Sequence, residues 1–172
     1  VTINCGWGPK EILVENGKVT LGDAKYGYLC ANKMYKAGTE VTVNEDMEFT
    51  SVNTLSVAMT DGAGIRYIGE SGLRFQSTIA SDNMEAVASD AITEGTLITT
   101  KVIFDNNNDT LELGYSHAMI NVKNSGWFGD KVGTYCGSVC KITDNKREFI
   151  ARSYVTVNYE DGTSKTVYSG MG

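Results

Sequence analysis

The sequence predicts an all-β fold with one short helix, and three observations carry that expectation. Apolar and β-branched residues alternate with polar ones at period two through most of the chain. The gaps between these runs are rich in Gly, Asn and Asp, the residues that accept turn conformations, and the chain holds nineteen glycines but one proline, Pro9. Only one stretch carries apolar residues near helical spacing.

The elements are expected in the following order. Residues 1–5, 18–21, 40–44 and 48–52 alternate as half-buried strands do. Asn16-Gly17 is a two-residue turn signal, so residues 11–14 and 18–21 are read as a hairpin. Strands follow at 55–59, 64–67, 73–79, 97–104 and 118–122. The helix starts at Ser81 as N-cap, with Asp82 and Glu85 suited to its positive first turn. Met84, Val87, Ala88 and Ile92 then form its apolar stripe. Asp105 to Asp109 reads as a polar loop. A final hairpin pairs 154–159 with 164–168 across Asp161-Gly162. A boundary near 52–55 divides the chain into 1–53 and 54–172, and no Pro- or Ser-rich linker marks the join.

All four arginines lie in two short strand-like motifs, Arg66 with Arg74 and Arg147 with Arg152, while the eleven lysines are scattered. Arginine tolerates partial burial because its planar fork meets a carboxylate bidentately. The two motifs are therefore expected to pair as strands within one sheet. Glu70 and Glu148, which sit inside the motifs, are expected to bridge to Arg66, Arg74 or Arg152.

A net charge of −6 and a pI near 4.8 argue against a nucleic-acid partner. The apolar runs are far too short to span a membrane as a helix. The chain opens at Val1 inside a strand-like run, as a piece of a longer exported protein would. Cys5, Cys30, Cys136 and Cys140 allow three pairings, which the sequence leaves open. One or two disulfides or buried thiols are expected rather than zinc, because the only close pair is Cys136 and Cys140 and the single histidine, His117, is distant in sequence. No cofactor is expected.

The stretch from Val14 to Leu21, Lys25 to Tyr28, and Tyr35 to Thr50 resembles the small β-grasp-like repeat of bacterial surface proteins of the Listeria–Bacteroides type. Leu29 to Asn32 stand where that repeat usually carries Gly-Trp-Tyr. The motifs Gly64-Ile65-Arg66, Ser71 to Ile79, Glu94 to Ile98 and Arg147 to Val155 resemble an exported module of gut and rumen Firmicutes, including dockerin-bearing cellulosomal proteins. The resemblance implies an antiparallel, jelly-roll-like β-sandwich behind a β-grasp-like subdomain. It also implies an extracellular or cell-surface location and neighbouring modules, such as a dockerin, as partners.

No catalytic constellation stands out. His117 has no Gly-x-Ser-x-Gly elbow to serve. Glu70, Glu94, Glu112 and Glu148 are carboxylates that any acidic domain holds, and a hydrolase is the remotest expectation. The Asp105–Asp109 loop lacks EF-hand spacing. The aromatic residues point to a polysaccharide partner, because flat C–H faces of sugars stack on Trp and Tyr beside polar side chains. Trp7 and Trp127 lie in Gly-flanked loops, with Phe128, Tyr26 and Tyr28 as further platforms and Asn124, Asp130 and Lys131 as polar neighbours. The expected function is a non-catalytic carbohydrate-binding module for a cellulose or β-glucan type of chain. The alternative is a structural module: a spacer, an adhesin stalk unit, or a stabiliser of a neighbouring dockerin.

Overall fold

A computed structural model describes the chain except Gly6, Trp7, Ile12, Leu13, Glu15, Asn16, Tyr67 and Ile68, and gives only the backbone of Cys5, Gly8 and Arg66. The fold is all-β with several antiparallel sheets, as the alternation predicts. By contact the chain divides into two units, each described separately below. One comprises Val1–Leu55, Ala80–Thr93 and Thr156–Thr166; the other comprises Ser56–Ile79, Glu94–Val155 and Val167–Gly172. The first unit thus takes in two later segments besides the predicted 1–53.

The first unit holds strands β1 (Thr2–Cys5), β2 (Gly8–Glu11), β3 (Lys18–Thr20), β4 (Tyr28–Cys30), β5 (Lys33–Tyr35), β6 (Glu40–Thr42) and β7 (Glu48–Ser51). Five form a sheet in the order β2-β1-β7-β4-β5, and β3 pairs with β6 as a separate ribbon. At its centre β1 and β7 run parallel, with Ile3 opposite Phe49. Residues 12, 13, 15 and 16 of the expected 11–21 hairpin lie outside the described residues; β3 finds its partner in β6. β4 and β5 meet in a tight hairpin whose turn residues Ala31 and Asn32 both have positive φ, 47° and 66°. The pair Ala31-Asn32 lacks the glycine that marks a two-residue hairpin turn in a sequence. Ile3, Leu21, Tyr28, Val41 and Phe49 fill the core of this unit. Tyr159 bridges to Met34 as an isolated parallel pair, and its hydroxyl donates to the Tyr26 carbonyl at 2.9 Å.

Further along come β8 (Leu55–Met59), β9 (Gly64–Arg66), β10 (Gly72–Ser81), helix α1 (Met84–Ala88) and β11 (Ile92–Thr100). Then follow helix α2 (Lys101–Asn106), β12 (Ile120–Lys123), β13 (Thr134–Cys140), β14 (Phe149–Asn158) and β15 (Ser164–Met171). One sheet runs β13-β10-β8 with β9 beside β10; the other runs β12-β11-β14-β15. In the second unit both sheets contribute to one core: Phe75 and Leu73 of β10 with Ile98, Ala151 and Val122 of the other sheet. Leu97 points the opposite way along β11, as strand alternation demands, and packs with Phe104, Leu111 and Tyr154.

The two helices correct the sequence reading twice. Asn83, not Ser81, caps α1, its Oδ1 accepting the Ala86 N–H at 3.2 Å, while Ser81 ends β10. The second helix occupies residues read as the end of a strand and the start of a polar loop. Thr100 caps it, Lys101 bridges to Asp105 one turn on, and Phe104 is the side chain it buries. The β-branched Thr-Lys-Val-Ile run hid that cap. The last hairpin turns at Asp161-Gly162 as expected, but over a longer loop: Tyr159 N–H bonds the Thr163 carbonyl, and the Asp161 carboxylate accepts the Thr163 N–H.

The arginine motifs do not pair. β9 and β10 belong to one sheet and β14 to the other, because β14 takes β11 and β15 as its neighbours. Nor, among the described residues, do the expected carboxylates meet arginine. Arg152 bridges to Glu112 at 3.3 Å and stacks over Tyr168, while Glu70 meets Lys141 at 3.7 Å. Arg74, Arg147 and Glu148 are exposed.

Candidate functional site

The expected aromatic platforms separate into three groups. Trp7 lies outside the described residues. Tyr26 and Tyr28 are core residues, 6% and 3% exposed, and so present no face for a sugar. Tyr28 lies on β4 against Leu21 and Phe49, and its hydroxyl reaches the Asp23 carbonyl at 3.2 Å. Lys25 and Lys165 both sit over the Tyr26 ring, at 5.4 and 4.8 Å from its centroid. Reading these tyrosines as surface residues failed because Gly27 between them hides their place in the core; neighbouring Gly residues usually mark a loop.

Trp127 and Phe128 are the platform residues that the second unit presents. Trp127 is half-buried and Phe128 is 46% exposed, at the start of a short 3-10 turn, Phe128–Asp130. Gly129 and Asp130 both have positive φ, 63° and 56°, which reverses the chain within one turn. Asp130 and Lys131 are exposed beside it.

Asn124 braces the start of this loop. Its backbone N–H donates to the Glu94 carbonyl at 2.9 Å, its Nδ2 donates to Glu94 Oε1 at 2.8 Å, and its Oδ1 accepts the Gly126 N–H at 3.2 Å. Glu94 is the residue that sequence reasoning set aside as an ordinary acidic side chain; its neighbour Gly95 was the available signal. A Cβ on Gly95 would lie 2.6 Å from the Tyr154 hydroxyl and 2.8 Å from the Val122 carbonyl. The chain can therefore pack that closely only as glycine, and the adjoining Glu94 is drawn inward.

Burial pushes the Glu94 carboxyl above its ordinary range, with the Asn124 hydrogen bond pulling the other way. Its Oε2 is buried without a hydrogen-bond partner among the described residues. A carboxyl with a raised folded-state pKa holds its proton more tightly folded than unfolded. The stability this carboxyl contributes is thus fully present below the unfolded value of 4.5 and is lost as pH rises through the folded one. The Glu94→Gln variant is expected to unfold at higher temperature than the natural protein at neutral pH, with the gap closing below pH 4.5. Thermal unfolding from pH 4 to 8 checks this, and a gap independent of pH would contradict it.

The remaining candidate chemistry is dispersed. His117 packs against Tyr115 with ring centroids 5.8 Å apart, and its Nε2 is buried without a partner among the described residues. Cys30, Cys136 and Cys140 are thiols. Four residues along a strand separate Cys136 and Cys140 by roughly 13 Å, beyond disulfide reach. Among the described residues no three of His, Cys, Asp and Glu converge as metal ligands, and no helix is long and apolar enough to cross a membrane.

A second feature of this unit is a cleft of about 370 Å³ where β11, β12, β13 and the start of β14 converge. Its walls include Ile98, Met119, Ile120, Val139, Ile142 and Phe149. Arg147 lines this cleft and also an adjoining recess of about 570 Å³.

Fold and site together define an all-β chain that presents a braced aromatic loop and an apolar cleft on one of its units. No family model, curated protein or solved structure matches the chain.

Proposed function

We propose that the chain is a non-catalytic carbohydrate-binding module, acting in an extracellular multimodular protein on plant cell-wall polysaccharide of the cellulose or β-glucan type. The supporting observation is the Trp127–Phe128 loop, which offers aromatic surface to solvent and is fixed by the Asn124–Glu94 brace. A platform held in place before binding loses little entropy on taking a flat ligand, and aromatic faces suit the C–H faces of sugars. Asp130 and Lys131 supply hydrogen bonds that orient the chain. Attachment would raise the local concentration of linked modules on an insoluble substrate.

Affinity electrophoresis and calorimetry against a panel of β-glucans test this reading. The Trp127→Ala variant is expected to lose about ten- to hundredfold in affinity, the effect of removing on the order of 1.5–3 kcal/mol of apolar burial. If no glycan retards the natural protein, or Trp127→Ala binds like it, the reading fails.

The burial of Tyr26 and Tyr28 favours a second reading for the first unit, as a structural module that spaces or stabilises neighbouring modules such as a dockerin. A raised melting temperature of the neighbour when both are joined would support it.

A further inference from the structure

We infer that the apolar cleft is a binding site for an amphipathic carboxylate, a medium-length acyl chain or aryl ring bearing one anionic head, with Arg147 as the group that takes the head. The cleft volume of about 370 Å³ lies within the usual span of small-molecule sites. Its apolar walls are aliphatic apart from Phe149, with Thr99, Thr100, Thr143 and Cys140 set among them, and Ile120 remains 51% exposed beside it. The apolar walls suit a hydrocarbon tail, and with Phe149 as the one aromatic they offer a sugar no broad platform.

The charge at the mouth selects the head. Lys101, Lys141, Lys146 and Arg147 line the cleft and its recess against two carboxylates, Asp144 and Glu148, in a chain whose net charge is −6. Two of the cations are committed elsewhere, Lys101 to Asp105 at 2.6 Å and Lys141 to Glu70 at 3.7 Å. Asp144 is engaged within its own turn: its Oδ1 accepts the Lys146 N–H at 3.0 Å and its carbonyl the Arg147 N–H at 3.3 Å. That turn sets Arg147 where cleft and recess join. Among the described residues no carboxylate lies within ion-pair distance of its guanidinium, whereas Arg152 has Glu112. A planar guanidinium at the end of an apolar slot matches a carboxylate bidentately.

Calorimetry with hexanoate, octanoate, decanoate and 1-decanol tests the site. Affinity is expected to rise about fourfold per added methylene until the chain fills the cleft. Decanoate is expected to bind at least tenfold more tightly than 1-decanol. Arg147→Gln, at an exposed position, should cost decanoate at least tenfold and leave 1-decanol unchanged. Ala118→Trp, which places an indole at the exposed mouth, should abolish both while leaving the melting temperature of the unliganded protein intact. The inference is overturned if the natural protein shows no saturable binding, takes decanoate and 1-decanol alike, or keeps decanoate affinity in either variant. Because neither variant touches Trp127, loss of this site and loss of glycan binding are separately visible.

Discussion

Replacing Gly27 with alanine is expected to lower the stability of the first unit by on the order of 3–5 kcal/mol, a large share of what a domain possesses. Two independent costs add at this position. Gly27 has φ of +91°, where an L side chain is strained, and a Cβ there would stand 2.2 Å from the Tyr35 carbonyl oxygen. The obstacle is backbone of β5, so relief requires shifting the β4–β5 hairpin rather than turning a side chain. The neighbouring bonds would shift with it: Val52 N–H donates to the Gly27 carbonyl at 2.8 Å, and Tyr26 N–H to the Val52 carbonyl at 2.9 Å. Tyr159, whose ring carbon lies 3.1 Å from the added Cβ, would be displaced from its bond to Tyr26. Gly38→Ala is the control. Gly38 has a similar φ of +79° with nothing within 4 Å, so it should show the backbone strain alone, about 1 kcal/mol. Urea unfolding of both variants measures the difference, and a Gly27→Ala midpoint as mild as that of Gly38→Ala would contradict the packing argument.

The contrast between these glycines shows what the sequence can and cannot declare. Alternation located β8 and β10, since each buries one face and the period-two pattern records it, whereas β14 buries residues 153–157 on both faces. Asp161-Gly162 announced its turn through a residue type that the φ of +84° requires. Short strands such as β4 and β5 escaped, because three residues cannot establish a period and Ala31-Asn32 turns without glycine. Strand partnership escaped more fully. The two arginine motifs look alike along the chain, yet pairing depends on contacts between residues far apart in sequence, which alternation does not encode. The candidate site divides the same way. Gly-flanked Trp127 and Phe128 were legible as a loop aromatic pair, whereas the brace beneath them was not. Glu94 and Asn124 are thirty residues apart, and only the pairing of β11 with β12 brings them together.

Replacing Tyr135 with alanine is expected to cost about 3–5 kcal/mol and to loosen the loop that carries Trp127. Tyr135 is fully buried on β13, and its hydroxyl is shared between the carbonyls of Gly95 and Tyr154, each at 3.1 Å. It thereby joins β13 to the strand segment whose previous residue, Glu94, holds Asn124. Tyr135→Phe keeps the ring and removes only that hydroxyl, so the expected loss falls to about 1–2 kcal/mol. The pH dependence separates the two contributions. Burial pushes the Tyr135 phenol far above its ordinary value of 10, with hydrogen bonding to Ser153 opposing. The unfolded chain therefore loses this proton before the folded one does, and the stability it contributes falls as pH rises above 10. Tyr35 and Tyr159 are also shifted upward by burial, but they are common to both proteins and cancel in the comparison. Tyr154, whose negative form repels that of Tyr135, adds to the fall above pH 10. The advantage of the natural protein over Tyr135→Phe should thus be constant between pH 6 and 9 and shrink above 10. Denaturant unfolding across that range measures it, with Trp127 fluorescence quenching by acrylamide as the local report. Quenching that increases in both variants would show that the hydroxyl, through Gly95 and Glu94, holds the aromatic loop in place, whereas an increase in Tyr135→Ala alone would assign that role to the packing of the ring. Equal quenching in all three proteins would mean that the brace stands without it.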